Sequence, residues 1–270
     1  MTTIYSISDI HGFYDSMLDT LSLVDLNSNK DNKLIFLGDY IDRGKDSCRV
    51  LYYIKELEEK YPHQVIVLLG NHEEMFIDWF TLNDKLNWFS QEVNILTVKS
   101  FFSRDEFMDI IKNTKNNGES YSEVSYYMIK EIRKRHSKLQ DWLVNKEKQE
   151  PFYETDNQIY VHAGIFEKDQ FLWKYATQPD EFTWKYPAET GAFYKDIIAG
   201  HVSTVNVSND SKYLGKVFWD GFSHFYIDGE TERSGIVPLL KYDTFTGAYS
   251  SYTKRMDGSW VEYQITKRRV

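Results

Sequence analysis

The sequence predicts an α/β sandwich, two facing mixed sheets flanked by helices, with one helical insertion. Three observations carry that expectation. Along the first 70 residues, apolar runs of strand length each end in a glycine-broken polar loop and are followed by apolar residues at helical spacing, the pattern of βαβ units with right-handed crossovers. Residues 74 to about 150 contain no proline, are rich in Lys, Glu and Asn, and show helical periodicity. From about residue 217 onward, short strand-like runs alternate with turn signals.

In order, residues 4–8 form a β-prone run ending on Asp9, and Phe13, Met17, Leu18, Leu21 and Val24 then recur as one helix face. A polar loop over 27–32 precedes Leu34-Ile35-Phe36-Leu37, an apolar run that breaks at Gly38 into Asp39-Tyr40-Ile41-Asp42-Arg43-Gly44. Val50, Leu51, Ile54 and Leu57 mark a helix over 47–61, closed by Pro62, and residues 65–69 a strand ending on Gly70. Within the insertion, Phe101-Phe102, Phe107-Met108 and Ile110-Ile111 read as helical, 113–120 as a polar turn, and 126–143 as a further helix. The insertion is expected at one edge of the sheet, as a cap over the site or as plain outer-layer helices. Strands resume at 158–162 and 196–199. Five more are expected at 217–219, 225–227, 237–242, 249–253 and 260–265, with turns at Asp228-Gly229 and Asp257-Gly258, forming a second, antiparallel-leaning sheet against the first.

At 270 residues and 32.1 kDa, with 41% hydrophobic and 27% charged residues, residues 1–270 are expected to make one domain that carries the insertion. A formal net charge of -9 argues against binding a nucleic-acid duplex, which needs a basic face. Phosphorylated substrates stay open, because divalent metals reverse the local field of a site. The single Cys48 allows neither an intramolecular disulfide nor a thiolate zinc site. No apolar run approaches the roughly 18 residues of a membrane span, and no basic leader precedes the first strand, so a cytoplasmic protein is expected. The 16% aromatic content, with 20 Tyr, suggests Tyr-rich surfaces or pocket walls.

Five strand-end loops each deliver Asp, Asn or His: Ser8-Asp9-Ile10-His11-Gly12, Gly38-Asp39, Gly70-Asn71-His72-Glu73, Val161-His162-Ala163-Gly164 and Gly200-His201. They read as one metal site assembled from distant pieces of chain. Carboxylate, imidazole and amide oxygen suit borderline divalent ions such as Mn, Fe, Zn or Co. Asp9 and His11 can place an oxygen and a nitrogen on one ion, Asp39 is placed to bridge two, and Asn71 offers a neutral oxygen. Adjacent residues in an extended turn face opposite ways, so His72 is expected to point elsewhere and to transfer protons. Asp42 is its expected orienting partner, and Arg43 supplies a fork of donors matched to phosphate.

In order and spacing these motifs resemble the calcineurin-like metallophosphoesterases. The Asp39 and Asn71 motifs resemble the phosphoprotein phosphatase branch, which includes bacterial and phage serine/threonine phosphatases and symmetrical diadenosine tetraphosphate hydrolases. The resemblance implies that Asp9, His11 and Asp39 bind one metal, and that a bridging Asp39 with Asn71, His162 and His201 binds a second, manganese being the first candidate. It implies attack on phosphorus by a hydroxide held between the ions, phosphate held by Arg43 with Asn71 alongside, and protonation of the leaving oxygen by His72 paired with Asp42. The implied activity is hydrolysis of phosphomonoesters, protein phosphoserine and phosphothreonine among them. Symmetrical hydrolysis of dinucleoside polyphosphates is the alternative, and a non-catalytic phosphate-binding scaffold a lesser one. The implied partners are a phosphorylated small molecule, a nucleotide or a phosphoprotein.

Two departures accompany the resemblance. The family commonly has a second phosphate-holding arginine between the last two histidine motifs, but no arginine lies between His162 and His201. Phe182-Thr183-Trp184-Lys185-Tyr186 occupies that region, with Lys185 a substitute point charge that lacks the bidentate fork. Secondly, Gly200-His201-Val202-Ser203 lacks the second histidine of the wider superfamily, as the phosphatase branch does, and lacks the Thr-Pro that often follows. His63, His136 and His224 are expected to be surface or satisfied structural imidazoles, and Cys48 a buried small residue at a helix start. Trp173, Tyr175, Phe182, Trp184 and Tyr186 are expected as core or wall, and the charge run over 130–138 as a solvated helix face.

Overall fold

The continuous apolar runs at 34–37 and 65–69 behave as strands covered on both faces, which is what places them at the centre of a layered fold. The structure is a computed structural model that describes residues 2–82, 88–116, 118 and 120–265. Strands β1 (Thr3–Ile7), β2 (Lys33–Phe36) and β3 (Val65–Val67) pair in parallel, with helices α1 (Tyr14–Leu21) and α2 (Ser47–Lys60) making the crossovers. Leu34, Ile35 and Phe36 are all fully buried, so both faces of β2 are core.

The insertion follows as α3 (Asn71–Thr81), a 3-10 turn (Trp88–Ser90), α4 (Glu92–Lys99), α5 (Arg104–Asn116) and the long α6 (Tyr121–Glu147). It forms outer-layer helices: Trp79, Trp88, Val98, Phe101, Met128 and Ile132 share one buried cluster with Tyr5, Ile7 and Phe36. Helix α5 runs four residues into the expected polar turn, and residues 117 and 119 of that turn lie outside the described residues. Helix α6 starts five residues earlier than its apolar spacing suggests. Ser120 and Glu123 form a capping box there, with Glu123 Oε2 accepting from the Ser120 amide at 2.6 Å. The charge run over 130–138 is mostly solvated, as expected.

Then come β4 (Phe152–Glu154), β5 (Gln158–Val161), the short helices α7 (Trp173–Ala176) and α8 (Glu181–Trp184), β6 (Asp196–Ala199) and α9 (Thr204–Ser208). The chain ends with β7 (Phe218–Trp219), β8 (His224–Tyr226), α10 (Thr231–Ser234), β9 (Leu240–Asp243), β10 (Ala248–Lys254) and β11 (Trp260–Ile265). Here the expectation needs correcting, because the last five strands do not make a sheet of their own. β9, β10 and β11 extend the first sheet antiparallel from β1, giving the order β11-β10-β9-β1-β2-β3. β7 and β8 join β4, β5 and β6 in the order β4-β5-β6-β8-β7. Both sheets are mixed, and β4, unread in the sequence, closes one edge of the second.

The sheets face each other through Ile4, Ile35 and Leu68 on one side and Tyr160, Ile198 and Phe225 on the other. Burying each such side chain contributes roughly 1.5–3 kcal/mol. Trp173 and Phe182 cover the outer face of the second sheet. The layers are therefore helix, sheet, sheet, helix. No helix among the described residues is long and apolar enough to cross a membrane. The parallel strands β1, β2, β3, β5, β6 and β8 send their following loops to one edge of the sandwich, and the site lies there.

Candidate metal centre

The loops are laced together by main-chain bonds before any side chain is considered. The amides of Asp9, His11 and Gly12 donate to the carbonyls of Gly38, Asp39 and Tyr40 at 3.0, 2.9 and 2.7 Å. Gly200 N donates to His162 O at 2.8 Å, and His201 N to the Asp9 carboxylate at 3.1 Å. Among the described residues, six of the nine non-glycine residues with positive φ are site residues: Asp9, His11, Asp39, Asp42, Arg43 and His201. Such backbone is disfavoured by sterics and persists only where surrounding contacts over-determine it. Glycines give the loops their close approach: a Cβ on Gly70 would collide with the Asp39 carboxylate, and one on Gly200 with Asp9.

Side chains from all five loops converge. His11 Nδ1 donates to Ile41 O at 2.8 Å and His162 Nδ1 to Leu37 O at 2.8 Å. Because a carbonyl only accepts, each ring when neutral carries its lone pair on Nε2, the tautomer that can ligate. His162 Nε2 lies 3.2 Å from Asn71 Oδ1 and 3.4 Å from Asp39 Oδ1, and His201 Nδ1 lies 3.1 Å from the same Asn71 oxygen. Two ligand groups result, His11 with Asp39 and His72, and Asp39 with His162 and His201, the atoms within each mutually inside 4.8 Å. Asp39 belongs to both. Asp9, expected beside His11, has Oδ1 at 3.9 Å from His11 Nε2.

These residues fit divalent cations. His11 Nε2 is buried and has no hydrogen-bond partner, although it faces Asp9 and Asp39. Burial together with the Asp228 and Asp39 charges pushes the Asp9 carboxyl well above its usual range, the signature of crowded anions lacking a counter-charge. Burial opposes a charge on His162, yet Asp39, Asp9 and Glu73 together raise that imidazole to about 10. Oxygen and imidazole donors without thiolate match borderline metals.

His72 reaches its expected partner Asp42, but its ring does not point away from the ligand groups. It lies in the first turn of α3, not in an extended turn, and that geometry brings Nδ1 within 2.6 Å of Asp42 Oδ2. Its Nε2 stands 3.9 Å from Asp39 Oδ2, at the rim of the first ligand group. Burial opposes charge on this ring, but Asp39 and the Asp42 hydrogen bond hold it up at about 9. Arg43 is partly buried, and its charge lies close enough to act on His11, His72, His201 and Asp228.

Several contributors had no separate reading in the sequence. Glu73 is fully buried, and its carboxylate takes the amides of Asp39 and Tyr40 at 2.8 Å each, Gly70 at 3.0 Å and Ile41 at 3.3 Å. One side chain thus clamps the Asp39 loop to the Asn71 loop. Glu73→Ala should lower the unfolding free energy by about 3 kcal/mol or more, since four buried amides lose their acceptor. Urea denaturation checks this, and a loss below about 0.5 kcal/mol would contradict the clamp. Asp228, taken only as a turn signal, supplies a carboxylate from a sixth strand-end loop, after β8, buried and held by the Glu230 amide at 2.8 Å. Thr231 Oγ1 donates to Asp9 O at 2.8 Å. Trp88 and Thr97 of the insertion reach Asp42.

Lys185 sits differently from the role expected of it. Its ammonium donates to Ile165 O and to Glu189 Oε2 (2.9 Å) and lies 3.8 Å from Glu167 Oε1. Asp180, Glu181 and Glu189 line the adjoining groove of about 320 Å³, an acidic wall that repels phosphate. The aromatic run divides: Trp173 and Phe182 are core, whereas Tyr175 and Tyr186 are exposed and Trp184 donates to Glu74 at 3.0 Å. Cys48 is buried at the start of α2, as expected. His136 bonds Tyr52 at 2.8 Å, and buried His224 bridges Glu167 (2.8 Å) and Asp220 (3.0 Å), both satisfied imidazoles.

Comparison with known proteins follows the same lines. A family profile described as calcineurin-like phosphoesterase matches residues 2–205. Over 112 residues, 42% of this chain, the sequence is 30% identical to a protein of Nitrosospira multiformis named bis(5'-nucleosyl)-tetraphosphatase, symmetrical. Over 67 residues, 24% of this chain, it is 39% identical to the serine/threonine-protein phosphatase SIT4 of Candida albicans. The matched stretches span 38% and 21% of those relatives' own lengths. A solved cold-active protein tyrosine phosphatase superposes with a TM-score of 0.58 at 16% identity, covering 96% of this chain and 78% of that one, which supports the fold alone.

Proposed function

We propose that this chain, which belongs to the calcineurin-like phosphoesterase family, hydrolyses phosphomonoesters with two divalent metal ions, manganese first among them. Asp9, His11 and Asp39 would hold one ion, and Asp39, Asn71, His162 and His201 the other. Bound there, two divalent ions neutralise phosphoryl charge and bring the pKa of a water toward neutrality. The carbonyls of Ile41 and Leu37 keep His11 and His162 in the ligating tautomer. Arg43 would hold the phosphoryl oxygens with Asn71 alongside, and its fork fits two oxygens at once. His72 would give its Nε2 proton to the leaving oxygen while Asp42 keeps Nδ1 protonated. The observation that carries this reading is the pair of ligand groups sharing Asp39 beside the 2.6 Å His72–Asp42 contact.

Lys185 is engaged by carboxylates, so on this reading Arg43 is the principal side-chain cation on the phosphate. That favours a substrate whose other groups add affinity, such as a phosphoserine or phosphothreonine in a protein. A second reading, symmetrical cleavage of dinucleoside polyphosphates, is favoured by the 112-residue similarity to a protein so named.

Hydrolysis by metal-stripped protein with and without Mn²⁺ decides between them, read as phosphate released from p-nitrophenyl phosphate and a phosphopeptide and as ADP formed from diadenosine tetraphosphate. The expected result is Mn²⁺-dependent turnover of both phosphomonoesters. Preference for diadenosine tetraphosphate selects the second reading. Two bound ions with no turnover of any substrate would replace hydrolysis by a phosphate-binding scaffold.

A further inference from the structure

The helical insertion reaches the acid–base pair through two side chains. Thr97 of α4 donates its hydroxyl to Asp42 Oδ1 at 2.6 Å and accepts from the Asp42 amide at 2.8 Å. Ser47 Oγ lies 3.0 Å from Thr97 Oγ1, and since the Thr97 proton is spent on the carboxylate, Ser47 is the donor between them. Trp88 Nε1 donates at 3.2 Å to Asp42 Oδ2, the oxygen that also takes His72 Nδ1. Trp88 is itself fixed, its carbonyl held by Asn94 Nδ2 at 2.8 Å and its ring packed against Phe76 and Trp79 at 5.3 and 5.1 Å.

Asp42 and Thr97 are fully buried. No water can take over a lost donor there without a cavity to hold it. Asp42 also has φ 70, a conformation that its neighbours must hold in place. We infer that Thr97 and Trp88 of the helical insertion are positioning residues for the proposed reaction, fixing the Asp42 carboxylate and, through it, the ring orientation and tautomer of His72. The inference rests on the reading of His72 as proton donor to the leaving group. It gives the insertion a role in turnover that its amphipathic pattern does not suggest.

The test compares Thr97→Val, Thr97→Ser and Trp88→Phe with wild type and His72→Asn, each Mn²⁺-loaded and checked for metal content and melting temperature. A proton donor matters most for a poor leaving group, so phenyl phosphate and p-nitrophenyl phosphate are both assayed. Thr97→Val and Trp88→Phe should lose about ten-fold in kcat on phenyl phosphate and less than about three-fold on p-nitrophenyl phosphate, with KM unchanged and Thr97→Ser near wild type. A readout independent of turnover is the low-field proton resonance of His72 Nδ1, recorded on protein loaded with diamagnetic Zn²⁺ because Mn²⁺ broadens neighbouring resonances, and absent in His72→Asn. It should shift or broaden in Thr97→Val and Trp88→Phe and persist in Thr97→Ser.

Wild-type leaving-group dependence with an unchanged resonance in both variants overturns the inference while leaving the proposed function standing. Equal losses on both substrates without rescue by Thr97→Ser also overturn it, as a purely structural effect. If His72→Asn keeps the wild-type leaving-group dependence, the proton-donor reading fails instead, and the resonance alone then decides whether the insertion orients His72.

Discussion

Asp39→Asn should reduce kcat/KM on p-nitrophenyl phosphate by more than about 10³-fold and lower the number of tightly bound divalent ions. The argument is positional. Asp39 is the one residue common to both ligand groups, and its carboxylate also accepts the His72 amide at 3.2 Å. The substitution is nearly isosteric, so the amide oxygen can keep that hydrogen bond while the negative charge between the two groups is lost. Removing charge without removing volume separates electrostatics from packing, and the loops stay in place because Glu73 holds the Asp39 amide. Metal content by elemental analysis and steady-state kinetics measure the effect. Two ions retained with activity within ten-fold of wild type would show that Asp39 does not bridge.

Much of this centre was legible because its parts are local in sequence. Each ligand type stands within a few residues of a strand-ending glycine, and such loops gather at the carboxyl ends of parallel strands. What was not legible arises from contacts between distant segments. The pairing of β9 with β1 joins Tyr242 to Ile4, and no period or turn signal encodes which sheet a C-terminal strand will enter. Glu73 reads as one more residue of a helix start, and its clamp exists only because amides of another loop lie above it. Thr97 is a hydroxyl inside the short helix α4, where sequence alone gives it no partner. The local geometry expected around His72 was wrong: the first turn of α3, and not an extended turn, carries its ring to Asp42.

The departures from the family pattern have a physical consequence here. Where the family commonly places a second arginine, this chain has Lys185 locked among Ile165, Glu189 and Glu167. Three further carboxylates line that side of the cleft or adjoin it, Asp180, Glu181 and Glu74. On the proposed reading Arg43 is the principal side-chain cation, and ground-state affinity for phosphate would fall mainly on the two ions. That arrangement raises KM for small substrates before it lowers kcat, because a missing clamp weakens substrate and transition state alike.

His72→Asn should cut kcat by about 10²–10⁴-fold on phenyl phosphate while leaving metal content at the wild-type value. His72 Nε2 is 3.9 Å from Asp39 Oδ2, inside the first ligand group, so the structure brings it near enough for either role. Two features favour proton transfer. Nδ1 is committed to Asp42 at 2.6 Å, and that oxygen also takes the Trp88 indole, so the ring is oriented by a dedicated buried carboxylate. His11 already supplies the first group with an imidazole whose Nε2 lacks any other partner. Asparagine cannot donate a proton of suitable acidity, yet it fits the space and leaves the other ligands untouched. A collapse of metal content in His72→Asn would make His72 a ligand, and the proton for the leaving oxygen would then have to come from solvent.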